Sequence, residues 1–185
     1  MDIVFIGILT LAILGFLGWL LIYILYFSSA FVVWPPSIPT DRKSRRTILD
    51  VIEKIYSKEA PIKIADLGSG YGHLVRDISR NFKRAKVTGV ELLLLPYLGG
   101  KILCKRFCNI NIIRGDLLKY DFSNEDVIVF FFRTDHDLDK KFENEFKGKL
   151  VISNNFPLKY READEVIEMK ETFVNRKLFI YYFNK

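Results

Sequence analysis

In the segment IADLGSGYG, residues 64–72, an apolar run leads into an aspartate and then into glycine at every second position. A short apolar run that ends in turn residues predicts a buried strand. Glycine permits backbone angles that other residues avoid and lets a ligand approach the main chain. An apolar helical pattern follows directly. The stretch therefore predicts a strand–loop–helix unit that forms one wall of a nucleotide site.

The spacing of the glycines limits which class of ligand the loop can bind. Gly68, Gly70 and Gly72 form G-x-G-x-G, whereas a dinucleotide-binding turn has G-x-G-x-x-G and places a pyrophosphate at a helix N-terminus. Asp66, two residues before the first glycine, would repel a pyrophosphate. It suits a ligand that carries positive charge.

On both sides of this loop, apolar β-prone runs alternate with helical patterns along the sequence. The pattern predicts helices after a cap at Thr40 or Asp41, from Leu74 to Phe82, over residues 94–108 and over residues 137–146. It predicts strands in these runs: IKIADLG, KVTGVE, NIIRGD, DVIVFFF, KLVISNN and, as a hairpin joined by NR, DEVIEMKETFV and KLFIYYF. Such alternation implies an α/β fold with a Rossmann-like, seven-stranded, mostly parallel sheet and a C-terminal antiparallel hairpin.

Acidic side chains end the first three predicted strands. In a parallel sheet the carboxyl ends of the strands meet at one edge, where ligands bind. There Asp66 can face an ammonium, Glu91 can accept from both hydroxyls of a ribose, and Asp116 can accept from an adenine amino group. Each acid alone could equally be an ordinary helix or loop cap. Ammonium, ribose and adenine together describe S-adenosylmethionine.

The chain begins with an uncharged apolar run, residues 3–27, long enough to cross a bilayer, which takes about 20 residues. A buried core helix and a cleaved signal peptide are the alternatives, and SSA at 28–30 would serve as a cleavage site. We expect a retained transmembrane anchor over residues 1–30. The basic residues that follow it predict a single-pass protein with its N-terminus outside and its main domain on the cytoplasmic side. Anionic lipid headgroups are expected to contact Arg42, Lys43, Arg45 and Arg46.

A proline-rich neck over residues 31–40 separates the anchor from a domain over residues 41–185. Its segment VWPPSIPT favours an extended rod rather than a helix. The chain has two cysteines, Cys104 and Cys108, at a spacing that suits one helix face. No further cysteine or nearby histidine completes a metal set, so we predict reduced thiols and no metal.

Three motifs resemble those of the class I, seven-stranded S-adenosylmethionine-dependent methyltransferases: ADLGSGYG, TGVE and IIRGD. VVWPPSIPT resembles the neck of the mitochondrial lysine methyltransferases that act on the adenine nucleotide translocase and the ATP synthase c-subunit, and of related prokaryotic protein-lysine enzymes. KLVISNNFPL resembles the stretch after the fifth strand in that branch. The likeness runs from about residue 31 to the end of the chain.

The resemblance implies a role for each matching residue. The methionine part of the cofactor would be bordered by Asp66, Gly68, Ser69, Gly70 and Gly72. Glu91 would hold the ribose and Asp116 the adenine, while Pro36 and Thr40 would cover the cofactor and the acceptor entrance. This chain departs from the branch at Tyr71, at His73, in the leucine run of ELLLLPYLGG and in FFFRTDHD after the fourth strand.

The combined expectation is a membrane-tethered enzyme that methylates a lysine of a membrane-associated protein. Candidate catalytic residues are Phe131 as an aromatic wall and Asp135 and His136 as polar groups. One alternative is a methyltransferase for a lipid or quinone headgroup, and another is a decayed module that no longer catalyses. Nucleic acid is not expected as a substrate despite a net charge of +6, because FFFRTD lacks the Asn/Asp-Pro-Pro-aromatic turn found in enzymes that methylate bases.

Overall fold

The computed structural model describes residues 3–32, 40–132, 134, 136–169 and 176–183. The chain divides into two compact units, Met1–Pro36 and Ser37–Lys185. The predicted neck therefore lies outside the described residues except at its two ends, and Pro36 and Asp135 lie outside them too. Within the second unit, both apolar cores are built entirely from residues 48–183.

The first unit is a long helix, α1 (Ile3–Val32). Its stretch Phe5–Leu25 is long and apolar enough to cross a membrane, and almost all of the side chains there are exposed. No other helix in the described part of the chain meets this test. The finding supports the predicted span by length and composition, which a signal sequence near an N-terminus would also satisfy.

The second unit contains a single seven-stranded sheet, as predicted. The strands are β1 (Lys63–Leu67), β2 (Lys86–Glu91), β3 (Ile110–Arg114), β4 (Val127–Phe130), β5 (Leu150–Asn154), β6 (Glu165–Met169) and β7 (Arg176–Tyr182). Their spatial order is β3-β2-β1-β4-β5-β7-β6. The first five strands run parallel, and β7 is antiparallel to both β5 and β6. The strand order reverses between β1 and β4, since β2 and β3 are added on one side of β1 and β4 and β5 on the other. This is the switch point where such sheets bind ligands.

Helices cover both faces of this sheet. They are α2 (Arg42–Ile55), α3 (His73–Asn81), α4 (Leu94–Cys104) and α5 (His136–Glu145). The first three contribute to one core, against Ile64, Val129 and Ile152, and α5 contributes to the other, against Leu67 and Val151. Between β3 and β4 there is only a short 3-10 turn, Leu117–Lys119, in agreement with the lack of a helical pattern there.

Of the two predicted caps for α2, Asp41 is the one used. Its side chain accepts from the backbone N–H groups of Lys43 and Ser44 at 2.9 and 3.0 Å. The apolar side chains of α2 are buried at Ile48, Leu49 and Ile52, whereas Ile55 in the last turn is 43% exposed.

The prediction for α4 was wrong at its C-terminal end, since the helix stops at Cys104 rather than at residue 108. The backbone N–H of Val87 donates to the carbonyl of Asn109, so sheet pairing begins just before β3 and leaves no room for another helical turn. In consequence the cysteines do not share a helix face. Cys104 is buried and Cys108 is exposed, and both are free thiols.

Gly89, in the middle of β2, is where the glycine loop packs against the sheet. A Cβ atom at this position would lie 2.8 Å from Ser69 Oγ, 2.9 Å from Ser69 Cβ and 2.8 Å from Ile112 Cδ1. These distances are shorter than van der Waals contact. The loop can approach the strand this closely only because position 89 has no side chain.

We expect Gly89→Ala to lower the free energy of unfolding by about 1–3 kcal/mol, the usual cost of overpacking a core. Gly115→Ala is the matched control, because a Cβ there meets nothing closer than 4.0 Å. Denaturant titration of both variants checks the difference. Equal stability of the two variants would contradict the close packing at Gly89.

Candidate cofactor and acceptor site

The predicted glycine loop follows β1 and runs in a left-handed conformation at each of its glycines. The φ angles are +78° at Gly68, +54° at Gly70 and +73° at Gly72, all in the region that favours glycine. The backbone N–H groups of Gly68 and Ser69 donate to the carbonyl of Val90 at 2.8 and 3.1 Å, which holds the loop against the end of β2.

Glu91 ends β2 beneath this loop and is only 4% exposed. Its Oε2 accepts from the backbone N–H of Gly70 at 2.8 Å, and its Oε1 accepts from the backbone N–H of Leu93 at 2.9 Å. Since Leu93 is the residue before α4, one carboxylate joins the loop, the strand and the helix. Glu91, predicted to hold a ribose, thus also has the capping role that the sequence left open as the alternative. Each oxygen keeps a further lone pair for a ligand hydroxyl.

Asp66 lies on β1 beside the loop and is 6% exposed. Among the described residues, no basic side chain lies within salt-bridge distance of its carboxyl group. Burial, and to a smaller degree the charge of Glu91, raise the pKa of Asp66 to about 7. A buried carboxyl that lacks a cationic partner fits a positively charged ligand, which would hold it ionised.

Asp116 follows β3, and its Oδ1 accepts from the backbone N–H of Leu118 at 3.0 Å, capping the short 3-10 turn. Because β1, β2 and β3 are adjacent and parallel, Asp66, Glu91 and Asp116 all lie toward the carboxyl edge of neighbouring strands. The predicted row of three acids is thus present in the fold. The contacts seen for Glu91 and Asp116 are with the protein's own backbone.

Ser69 lies in the same loop and is 8% exposed. Its hydroxyl oxygen is buried without a hydrogen-bond partner among the described residues. An unpaired buried hydroxyl costs free energy, which a polar ligand group could recover. This makes Ser69 a further candidate for contact with a cofactor.

The far side of the glycine loop packs against α4. A Cβ on Gly100 would lie 3.2 Å from the carbonyl oxygen of Gly70, and a Cβ on Gly99 would lie 2.5 and 2.7 Å from ring atoms of Tyr71. Tyr71, one of the departures from the branch, thus covers Gly99. This contact accounts for the aromatic residue in the loop and for the paired glycines in the helix.

The predicted acceptor side lies beyond β4 and β5, and its described part is aromatic. The ring of Phe131 stacks on Phe156 at 5.9 Å, and the guanidinium of Arg176 lies 5.1 Å from the centre of the Phe131 ring. Arg176 Nη1 also contacts Asp41 Oδ2 at 2.7 Å. Phe131 is therefore placed by contacts from the start of β7 and the start of α2. Asp135 and the side chain of His136 fall outside the described residues.

Asn154, the last residue of β5, was missed from the sequence. It is 1% exposed, and neither its Oδ1 nor its Nδ2 has a hydrogen-bond partner among the described residues. It follows Ile152 by two positions, so it shares a sheet face with the core that includes Ile64 and, two positions on, Asp66. The signal in the sequence was the polar SNN at the end of an otherwise apolar strand.

His73 begins α3 and pairs within its own helix. Arg76 Nη2 lies 2.7 Å from its Nδ1, and because arginine only donates, Nδ1 is the acceptor and the ring is neutral. Burial first, then Arg76, lower the pKa of His73. The arrangement agrees with a helix-start residue rather than a general base.

No family model matches the chain. A curated protein-lysine N-methyltransferase of Saccharolobus islandicus strain REY15A is 26% identical over 164 residues, covering 82% of this chain and 96% of the relative. An RNA methyltransferase from Salinibacter ruber, solved with S-adenosyl-L-homocysteine, has a TM-score of 0.66 at 17% identity and covers 80% of this chain and 95% of its own. A precorrin-6y C5,15-methyltransferase from Geobacter metallireducens has a TM-score of 0.60 at 10% identity, with 83% and 94% covered.

The strand order and these likenesses confirm the predicted class, an S-adenosylmethionine-dependent methyltransferase with the class I fold. The predicted cofactor agrees with the S-adenosyl-L-homocysteine bound in the solved neighbour, since this molecule is what S-adenosylmethionine becomes after it gives up its methyl group. The two solved structures are named for chemically unrelated acceptors, RNA and a precorrin, so the shared fold does not identify the acceptor of this chain.

The raised pKa of Asp66 predicts a pH-dependent stability. In the unfolded chain this carboxyl ionises near 3.8, whereas in the folded chain it keeps its proton to about pH 7. The free energy of unfolding therefore falls as pH rises between these values and is level above them. We expect Asp66→Asn to gain stability relative to the natural chain by of the order of 3 kcal/mol between pH 5 and pH 8. Chemical denaturation at about pH 5 and about pH 8 measures it, and an equal difference at both pH values would refute it.

Proposed function

We propose that this protein is a membrane-tethered methyltransferase that uses S-adenosylmethionine to methylate a lysine of a membrane-associated protein. The observation that carries the methyl-transfer chemistry is Asp66, a buried carboxyl beside a glycine loop in left-handed conformation, with no cationic partner in the part of the chain that the structure describes. The lysine acceptor is supported by the likeness to a protein-lysine N-methyltransferase.

The residues of the loop fit the proposed cofactor in charge and in shape. Asp66 would face the ammonium, while the bare backbone of Gly68 and Gly70 leaves room beside it. Glu91 would accept from the ribose hydroxyls with the lone pairs that its two backbone contacts leave, and Asp116 would accept from the adenine. A bound S-adenosylmethionine supplies a methyl group on a positively charged sulfur, which is already a good leaving group.

The residues of the chain have to align the acceptor amine with the cofactor and exclude water from it. A lysine ammonium has a pKa of about 10.4 and must lose a proton before its nitrogen can attack. Aromatic walls such as Phe131 and Phe156 exclude water and lower that pKa by desolvation. The side-chain amide of Asn154 is buried at the adjoining strand end and has no partner among the described residues. Its Oδ1 would orient the amine by accepting a hydrogen bond from one of its N–H groups.

Tethering is supported by α1, whose stretch Phe5–Leu25 can span a bilayer. A tether raises the effective concentration of acceptors in the same membrane. The predicted topology, with the catalytic unit on the cytoplasmic side, belongs to this proposal. The proposal also includes contacts between anionic lipids and the basic cluster at residues 42–46. Within that cluster, Arg45 already contacts Asp77 at 2.7 Å and the carbonyl of Thr40 at 2.6 Å. Arg42 and Arg46, which are exposed, are better placed for headgroups.

Cofactor affinity should depend on the ionisation of Asp66. Below pH 7 the carboxyl is increasingly protonated and loses its attraction for the cofactor's ammonium. We expect affinity for S-adenosylmethionine to rise by up to about tenfold per pH unit between about pH 5 and pH 7. Titration calorimetry should show this slope for the natural chain, and weaker binding without the slope for Asp66→Asn. Parallel pH profiles for the two proteins would argue against contact between Asp66 and the ammonium.

The acceptor class can be tested with a methyl-labelled cofactor and membranes from cells that lack the protein. We expect label in the protein fraction, and a mass increase of one methyl group on a lysine by mass spectrometry. Label confined to the lipid fraction would instead support the alternative of headgroup methylation. No transfer despite measurable cofactor binding would support the decayed module.

Asn154→Ala provides the internal comparison for this assay. If its amide orients the acceptor, the variant binds cofactor as the natural chain does but transfers label more slowly. A parallel loss of cofactor affinity would move Asn154 from the acceptor side to the cofactor side.

A further inference from the structure

The leucine run after β2 is not explained by cofactor binding. After α1, nine large apolar side chains are exposed among the described residues, and five of these lie between residues 92 and 103. They are Leu92, Leu94, Leu98, Ile102 and Leu103. A soluble monomer rarely exposes a contiguous apolar patch unless the patch binds something.

Helical geometry concentrates these side chains on one side of α4. Leu94, Leu98 and Ile102 are spaced four residues apart, so they form one stripe, and they are 40%, 43% and 65% exposed. We refer to this stripe as the α4 apolar face. The buried side of the helix is formed by Pro96, Gly100 and Cys104. The helix thus packs its small residues against the domain and exposes Leu94, Leu98 and Ile102 on the opposite side.

Positive charge surrounds the α4 apolar face. Residues 92–115 contain four basic residues and no Asp or Glu. Next to Ile102, a groove of about 390 Å³ runs between α3 and α4. Its lining consists of Arg76, Arg80, Ile102, Leu103, Lys105, Arg106 and Phe107. Arg80 is held there by the ring of Phe107, with 5.4 Å between guanidinium carbon and ring centre.

We propose that the α4 apolar face and its basic rim form a peripheral binding surface for an anionic lipid bilayer. Exposed leucines beside lysine and arginine are the combination by which a helix lies in the membrane interface, with apolar side chains among the acyl chains and cations at the headgroups. The proposal goes beyond methyl transfer and does not depend on it.

Charge favours a bilayer over a second copy of the chain as the occupant. In a two-fold dimer the same patch contacts itself, which would bring the cations at Lys101, Lys105 and Arg106 of both copies together. Anionic headgroups would neutralise these charges instead.

The surface also adjoins the candidate site. The opposite side of α4 contacts the glycine loop through Gly99 and Gly100, so a bilayer on the α4 apolar face would lie one helix away from the cofactor loop. This position would hold the site close to acceptors at the membrane surface.

The test uses the full chain in lipid nanodiscs, with a nitroxide label on the exposed Cys108. Cys104 is buried, and burial raises the pKa of its thiol, so it should not react. In nanodiscs that contain phosphatidylglycerol, the label should become at least about threefold less accessible to a water-soluble relaxation agent than in phosphatidylcholine alone. The triple variant Leu94→Ser, Leu98→Ser, Ile102→Ser should lose this protection, and so should Lys101→Gln, Lys105→Gln, Arg106→Gln.

Val166→Ser is the matched control, because Val166 is 46% exposed on the far edge strand and should leave the protection unchanged. Thermal unfolding verifies that each variant is folded. If the triple serine variant does not fold, the triple glutamine variant still tests the proposal. Equal accessibility in both lipids would overturn the proposal. So would dipolar broadening between labels that is independent of lipid, since it would indicate a dimer. Neither outcome bears on methyl transfer.

Discussion

The organisation of this site depends on the Glu91 carboxylate. Its two oxygens accept from the backbone of Gly70 and Leu93, so a single buried side chain joins the turn after β1, the end of β2 and the start of α4. A hydrogen bond to a charged group is stronger than a neutral one, and it gains further where water is excluded. The loop can therefore keep its left-handed geometry before any ligand binds.

Asp66 has the opposite character. Glu91 is balanced by two backbone donors, while Asp66 lies buried beside it with its pKa raised to about 7. Two neighbouring carboxyls in such different environments separate the tasks of holding the loop and attracting a ligand. Burying the Asp66 carboxyl without a cation is unfavourable, and a bound cation would remove this cost. Strongly shifted pKa values of this kind are common at functional sites.

Much of the fold could be predicted from the sequence because it is governed by periodicity. The apolar runs gave seven strands, and the separate pattern near the C-terminus gave the antiparallel pair β6 and β7. The error at the end of α4 arose because residues 105–108 have no helix-breaking residue. The helix ends because the chain from Asn109 onward pairs with β2, and a contact between distant segments cannot be predicted from a local pattern.

The candidate site was predictable in its acids but not in its contacts. Asp66, Glu91 and Asp116 could be located because each lies at or next to the carboxyl end of one of three consecutive strands. Asn154 was missed because what marks it is a buried side-chain amide with no hydrogen-bond partner among the described residues. Burial and hydrogen-bond partners are known only once the chain is folded. The exposure of Leu94, Leu98 and Ile102 was hidden in the same way, since a leucine run suggests burial until the packed side of the helix is known.

The contact between Tyr71 and Gly99 couples two positions that are 28 residues apart in the chain. With the aromatic ring over the helix, any side chain at position 99 meets it, whereas a smaller residue at position 71 would make room for one. The effects of substitutions at these two positions should therefore not add, and a harmful change at one can be rescued at the other. Any redesign of α4 that places a side chain at position 99 therefore has to change Tyr71 together with it.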